Sequence, residues 1–234
     1  MTDAKAHSAY GLENHGLRKP KAVYWNLTQA VLIEHAIHKG EGSLTRFGPL
    51  AVNTGQHTGR SANDQFVVRD ESTENEIWWG KVNVPYSPEH FDALFARMID
   101  YLEGREWYVQ DCFAGADPDR RLPVRIINEL AWHSAFARNM FIVGTEEEQA
   151  SHEPGFTVIN APGFTADPQV DGTHSPTFIV VNFSRKLVII GGSQVIDGLR
   201  HVRGFRQGSA RLFCVPSASR WQPQCQTLID TRQI

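Results

Sequence analysis

Leu50-Ala51-Val52-Asn53-Thr54-Gly55-Gln56-His57-Thr58-Gly59-Arg60-Ser61 is the stretch on which the reading of this chain turns. Its apolar start reads as a short buried strand, Leu50–Asn53. Its polar end reads as the turn where that strand stops. Glycine lets the backbone turn sharply and approach a ligand closely. Successive exposed N–H groups in such a turn attract anions. Arg60 adds a planar fork of donors that fits a carboxylate or phosphate. Local chemistry alone fits an ordinary polar turn equally well.

Outward from this point, strand and helix signals are interspersed. Ala30, Val31, Ile33, Ala36 and Ile37 are spaced for a helix over 27–38, with Thr28 or Asn26 as its cap and Gly40 as its stop. Gly42–Thr45 begins a return. Phe66–Arg69 reads as a strand after the Arg60 turn, and Asp70–Glu76 as a solvated acidic connector. Ile77–Val84 reads as strand-like, with Gly80 marking a bulge or a close packing contact. Ser87-Pro88 opens the clearest helix. Serine caps it, proline suits the first helical position, and Phe91, Leu94, Phe95, Met98, Ile99 and Leu102 form one core-facing stripe that ends at Gly104. Trp107–Val109, Val124–Ile127, Met140–Val143, Phe156–Asn160 and Thr177–Phe183 read as strands, with a hairpin at 182–186 leading into Leu187–Ile190. A helix is expected from about 128 to 138, and a surface loop or short helix over 145–154. The expected fold is α/β, a mixed sheet with flanking helices. Residues 1–22 read as a weakly held polar arm.

Composition narrows the class. The 234 residues are 41% hydrophobic, enough for a real core, and carry a net charge of −3. The total gives no reason to expect a nucleic-acid partner. The charge is uneven: residues 194–234 hold six arginines against two aspartates, while 1–193 are net acidic. Three cysteines, Cys112, Cys214 and Cys225, lack metal-type spacing and fit a reducing compartment. The N-terminus lacks the apolar core of a signal peptide, and no run approaches the ~20 apolar residues of a membrane span. A cytoplasmic protein with no membrane partner is expected.

The motifs, taken in order, resemble the ATP-dependent phosphoenolpyruvate carboxykinase family. They are Tyr24-Trp25-Asn26-Leu27, Gly48-Pro49-Leu50 through Ser61, Ile77–Asn83, Val109-Gln110-Asp111, Ala114–Pro118, Leu122–Arg125, Ala131-Trp132-His133-Ser134, Phe136–Phe141, Asp171-Gly172-Thr173 and Ile189–Gly192. They cover about residues 20–193 and match only the N-terminal part of that family. The resemblance implies an arm at 1–22, a carboxykinase N-terminal-like domain at 23–193 and a divergent basic tail at 194–234. It also implies the family reaction of gluconeogenesis, in which oxaloacetate and ATP give phosphoenolpyruvate, ADP and CO2. Arg60 falls on the substrate-binding arginine, with His57, Thr58, Gly59 and Ser61 shaping its loop. The ligand it implies is oxaloacetate or phosphoenolpyruvate.

The chain departs from the family in ways that bear on activity. Ala62, Asn63 and Gln65 stand where the family has proline, lysine and lysine, which weakens the positive field near an anion site. After Gly192 the family's tyrosine and two lysines are replaced by Val195, Arg200 and His201. His201 is thereby a weak metal-ligand candidate. No Gly-x-x-x-x-Gly-Lys-Ser/Thr loop occurs in the 234 residues. ATP and Mg or Mn serve the full-length family, and no cofactor is expected for this chain alone. The expected function is therefore the substrate-binding part of a truncated carboxykinase, inactive by itself. The alternative is a non-catalytic module that binds a dicarboxylate or a partner. Separation from the second domain would expose an apolar face and invite self-association. Other tempting groups read as structural: His133 as a packed histidine, Arg125 and Glu129 as an ion pair at helical spacing, and Asp111 and Asp117 as turn residues.

Overall fold

The computed structural model describes residues 7–54 and 62–192, together with the backbone of Leu228–Ile229. In chain order the elements are β1 (Ala22–Trp25), α1 (Gln29–His38), β2 (Gly42–Leu44), β3 (Leu50–Val52), β4 (Gln65–Val68), β5 (Val84–Tyr86) and α2 (Pro88–Leu102). These are followed by β6 (Glu106–Ala114), β7 (Leu122–Asn128), α3 (Ala131–Met140), β8 (Ile142–Val143), α4 (Glu146–Ala150), β9 (Phe156–Ala161), α5 (Pro168–Asp171), β10 (Phe178–Asn182), β11 (Leu187–Gly191) and β12 (Leu228–Ile229). The mixed α/β expectation is met. Among the described residues, nine strands form one sheet in the order β1-β6-β7-β9-β11-β10-β4-β5, with β8 also on β6. A second sheet of three strands, β12-β3-β2, lies beside it.

The pairings fix the strand directions. β7, β9 and β11 are mutually parallel at the centre. The path strands on both sides, β1 and β6 on one and β10, β4 and β5 on the other, run the opposite way. One end of the sheet thus gathers the C-termini of β7, β9 and β11 and the N-termini of β10 and β4.

Alternation along each strand divides the core. On β11, Leu187 and Ile189 join a cluster with Phe91, Leu94 and Met98 of α2, whereas Val188 and Ile190 join one with Ala137 of α3. A third cluster packs Leu32, Ile33 and Ala36 of α1 on Trp132 and Ala135 of α3 and on Tyr108. Helix caps follow the sequence signals: Thr28 Oγ1 accepts from Val31 N, and Ser87 Oγ accepts from His90 N at 3.1 Å. Thr145 and Glu148 form a capping box on α4.

Four expectations are corrected. Residues 77–83 form no strand: Trp78 is 89% exposed, its neighbour Trp79 donates its indole N–H to the Glu74 carbonyl, and pairing begins only at Val84. A Cβ at Gly80 would meet nothing within 4 Å, so no close packing explains that glycine. Asp111 lies inside β6 opposite Arg125 of β7, not in a turn. Arg125 pairs with Asp111, and Glu129 instead accepts from the Tyr101 hydroxyl and the Gly163 N–H.

The arm is the fourth. Residues 7–17 are packed rather than weakly held. Ser8, Leu12 and Leu17 are buried, and a single 3-10 turn spans Leu12–His15. The Arg125 guanidinium donates to the Tyr10 carbonyl at 2.6 Å and lies 3.5 Å from the His15 ring nitrogen. Burial, and then the Arg125 charge, push the His15 pKa from 6.5 down to about 4. The sign follows directly. The unfolded chain takes up a proton near pH 6.5 that the folded chain refuses until about pH 4, so stability falls as pH drops through that window. After discounting for partial exposure, the loss is about 2 kcal/mol. Urea unfolding at pH 7 and pH 4.5 should show wild type losing about that much more than His15→Gln. Equal losses in the two proteins would refute the assignment.

Candidate functional site

The described residues flank the stretch 55–61 in sequence. β3 delivers the chain to Asn53 and buried Thr54. His57, Thr58, Gly59, Arg60, Ser61 and His201 lie outside the described residues. The chain re-enters as a 3-10 turn, Ala62–Asp64, which leads straight into β4.

That re-entry is pinned from across the sheet end. Ser175 Oγ donates to the Asp64 carboxylate at 2.9 Å, and Asp64 is only 7% exposed. The His174 Nδ1–H donates to the Asn63 carbonyl at 2.6 Å. The same ring lies 5.1 Å from that of Phe66. Two residues on, Thr177 Oγ1 donates to the Gly192 carbonyl at 2.9 Å. Gly192 has φ +68, and a Cβ there would sit 2.3 Å from the Pro176 carbonyl oxygen. Both the left-handed backbone and the close approach require glycine. Segment 172–177 therefore touches the exit of the Arg60 connection on one side and the end of β11 on the other.

The segment has a firm base. The Asp171 carboxylate accepts from Arg97 of α2 and from the Asp167 N–H, each at 2.6 Å. The Tyr86 hydroxyl donates to the Asp171 carbonyl, and burial with the Asp171 charge raises that phenol's pKa. Asp64, His174 and Ser175 carry no local sequence signal, because the partners meet across 111 residues.

The other titratable groups singled out in the sequence have structural settings of their own. His133 is fully buried, with Nδ1 3.0 Å from the Asn160 amide and its ring against Trp132, in keeping with a packed structural histidine. Asp117 accepts from the Asp119 N–H, which is ordinary turn bonding. Cys112 is buried, and burial raises its thiol pKa well above the usual range. A cavity of about 390 Å³ lined by Ser72, Thr73, Ile77 and Phe183 lies at the opposite end of the sheet. Among the described residues no group of three or more His, Cys, Asp or Glu could hold a metal ion. Nor is any helix among them long and apolar enough to cross a membrane.

A family model described as phosphoenolpyruvate carboxykinase, of the ATP-dependent type, matches residues 21–200. The chain belongs to that family. It is 53% identical over 183 residues to a phosphoenolpyruvate carboxykinase (ATP) of Geobacter sp. (strain M21), covering 78% of this chain and 35% of the relative. It is 54% identical to that of Pelobacter propionicus over 78% and 34%, and 49% identical to that of Thermus thermophilus over 78% and 35%. The chain spans about a third of the length of the carboxykinases it matches. The carboxykinase match runs on to residue 200, a few residues past Gly192, and so includes Val195 and Arg200.

Proposed function

We propose that this chain is the organic-acid-binding part of an ATP-dependent phosphoenolpyruvate carboxykinase, acting in the cytoplasm, and that alone it holds ligand without turning it over. The observation that supports this reading is where the described chain resumes after residues 55–61. β4 begins at the end of the sheet where β7, β9 and β11 terminate. A ligand met there by a bidentate arginine would be gripped at a carboxylate. Such positioning is a large part of what a phosphoryl-transfer site supplies. The residues that would hold ATP are not recognisable in the chain, so no transfer step is assigned to it.

Titration calorimetry with phosphoenolpyruvate and with oxaloacetate tests the proposal. Saturable binding is expected, weakened about 10- to 100-fold in Arg60→Ala by the loss of charge-assisted hydrogen bonds. A coupled assay for phosphoenolpyruvate from oxaloacetate and ATP should read background. Absence of binding at millimolar ligand would remove the binding claim, and turnover by the pure chain would remove the claim of inactivity.

A further inference from the structure

We infer that the N-terminal arm, residues 7–17, is an acid-released strap. A proton on His15 meets the fixed charge of Arg125 and undocks the arm as a unit, while the sheet and its helices stay folded. Nothing in this depends on Arg60.

Three observations converge. First, no ladder holds the arm. Among the described residues its backbone-to-backbone bonds run only within the arm, from the Gly16 N–H to the Glu13 carbonyl and from the Leu17 N–H to the Leu12 carbonyl. Side chains fasten it instead. Leu12 and Leu17 join the α2 cluster, Ser8 Oγ donates to the His152 carbonyl, and Arg125 donates to the Tyr10 carbonyl at 2.6 Å. A segment held by so few buried contacts opens without the rest of the fold. Second, the pivot is separate from these fastenings. The Gly104 N–H donates to the Lys19 carbonyl and the Lys21 N–H to the Arg105 carbonyl, each at 2.9 Å, so the chain after residue 17 stays fixed when the arm swings out. Third, His15 sits where only its neutral form fits. A guanidinium carries donors alone, so the ring nitrogen 3.5 Å from Arg125 Nη1 offers its lone pair. Protonation turns that contact into one between like charges. The neighbouring groups do not cancel it. Asp111 of β6 is already engaged by Arg125 through two hydrogen bonds, and His152 faces that carboxylate at 3.6 Å. Tyr10 offers His15 only a ring at 5.5 Å, and Glu13 on the same turn is exposed and outweighed by Arg125.

Thermolysin cleavage of the intact chain tests this, followed by mass at the bonds before Leu12 and Leu17 of the arm and before Leu94, which is buried in α2. Rates are taken relative to a free peptide of residues 7–21, which cancels the protease's own pH dependence. When reclosing is fast, cleavage reports the open population. Wild-type arm cleavage should rise about tenfold from pH 7.5 to 5.5, because the released ring takes up a proton that the docked ring refuses. His15→Gln should show no such rise. His15→Lys, which carries the charge at every pH, should be cut in the arm about 100-fold faster than His15→Gln at pH 7.5. The bond before Leu94 should stay about 100-fold slower than the arm bonds throughout. A wild-type rate that does not change with pH would overturn the inference, and so would equal rates in the Lys and Gln variants. Cleavage before Leu94 as fast as before Leu12, in wild type or in a His15→Lys chain that fails to fold, would overturn it as well, since the arm would then open only with the whole fold.

Discussion

Arg125→Met should destabilise the protein by about 3–5 kcal/mol, the usual cost of stripping one partner from a buried ion pair. Arg125 and Asp111 are both fully buried. They meet through two hydrogen bonds, Nε to Oδ1 at 2.7 Å and Nη2 to Oδ2 at 3.0 Å, between facing residues of β6 and β7. The guanidinium also faces the Trp25 ring at 5.1 Å and the Tyr10 ring at 5.6 Å. Methionine fills much of the volume but leaves the Asp111 carboxylate charged and dry. His152 is 3.6 Å from that carboxylate, and burial holds its pKa below the ordinary value. The double variant Asp111→Leu/Arg125→Met removes both charges and should recover most of the loss. Urea unfolding of the three proteins checks this. A loss under about 1 kcal/mol in Arg125→Met would mean that the pair contributes no more than an exposed one.

Phe91→Ala should cost a similar amount, about 3–5 kcal/mol, by a different route. Phe91 is fully buried where α2 meets the sheet, in the cluster that includes Leu94, Met98, Ile159 and Ile189. Its ring lies 5.9 Å from that of Phe95 and under the Arg185 guanidinium. Truncation removes apolar area and leaves a cavity that an α2 held by the neighbouring Leu94 and Met98 cannot collapse to fill. Phe95→Ala is the control: Phe95 is only partly buried, and its loss should be roughly half as large. Thermal and urea unfolding should rank the two in that order, and equal losses would contradict the packing described here.

The contrast between α2 and the arm shows what a sequence carries and what it does not. α2 is legible because everything that makes it a helix lies within sixteen residues: a capping serine, a proline at the first position and one apolar stripe. The arm is held by contacts that no local pattern encodes. Tyr10 offers a backbone carbonyl, and the arginine that seeks it is 115 residues away. Arg125 and Glu129 have helical spacing, but the strand context of Arg125 turns its side chain toward β6. Ile77-Trp78-Trp79 is rich in strand formers, yet propensity yields where a tryptophan has no sheet face to cover it. At the site the division is the same. The Arg60 stretch announces itself through family resemblance, whereas Asp64 and Ser175 become partners only when β4 and β10 lie side by side.

The strand order also governs how this fold can be reached in time. β11 is the last strand of the large sheet in sequence but sits in its middle, between β9 and β10. Until residues 178–191 are available, β4 and β5 have no route to the rest of the sheet, because β10 is the strand that joins them to it. A nascent or partly unfolded chain therefore presents two half-sheets with bare inner edges, β9 on one side and β4 on the other. Such edges are templates for pairing with other molecules. Pairings this distant in sequence also form slowly, since loop closure is costly before any contact offsets it. The vulnerable interval for this protein is thus the wait for one hairpin, and conditions that lengthen it would favour aggregation over the native sheet.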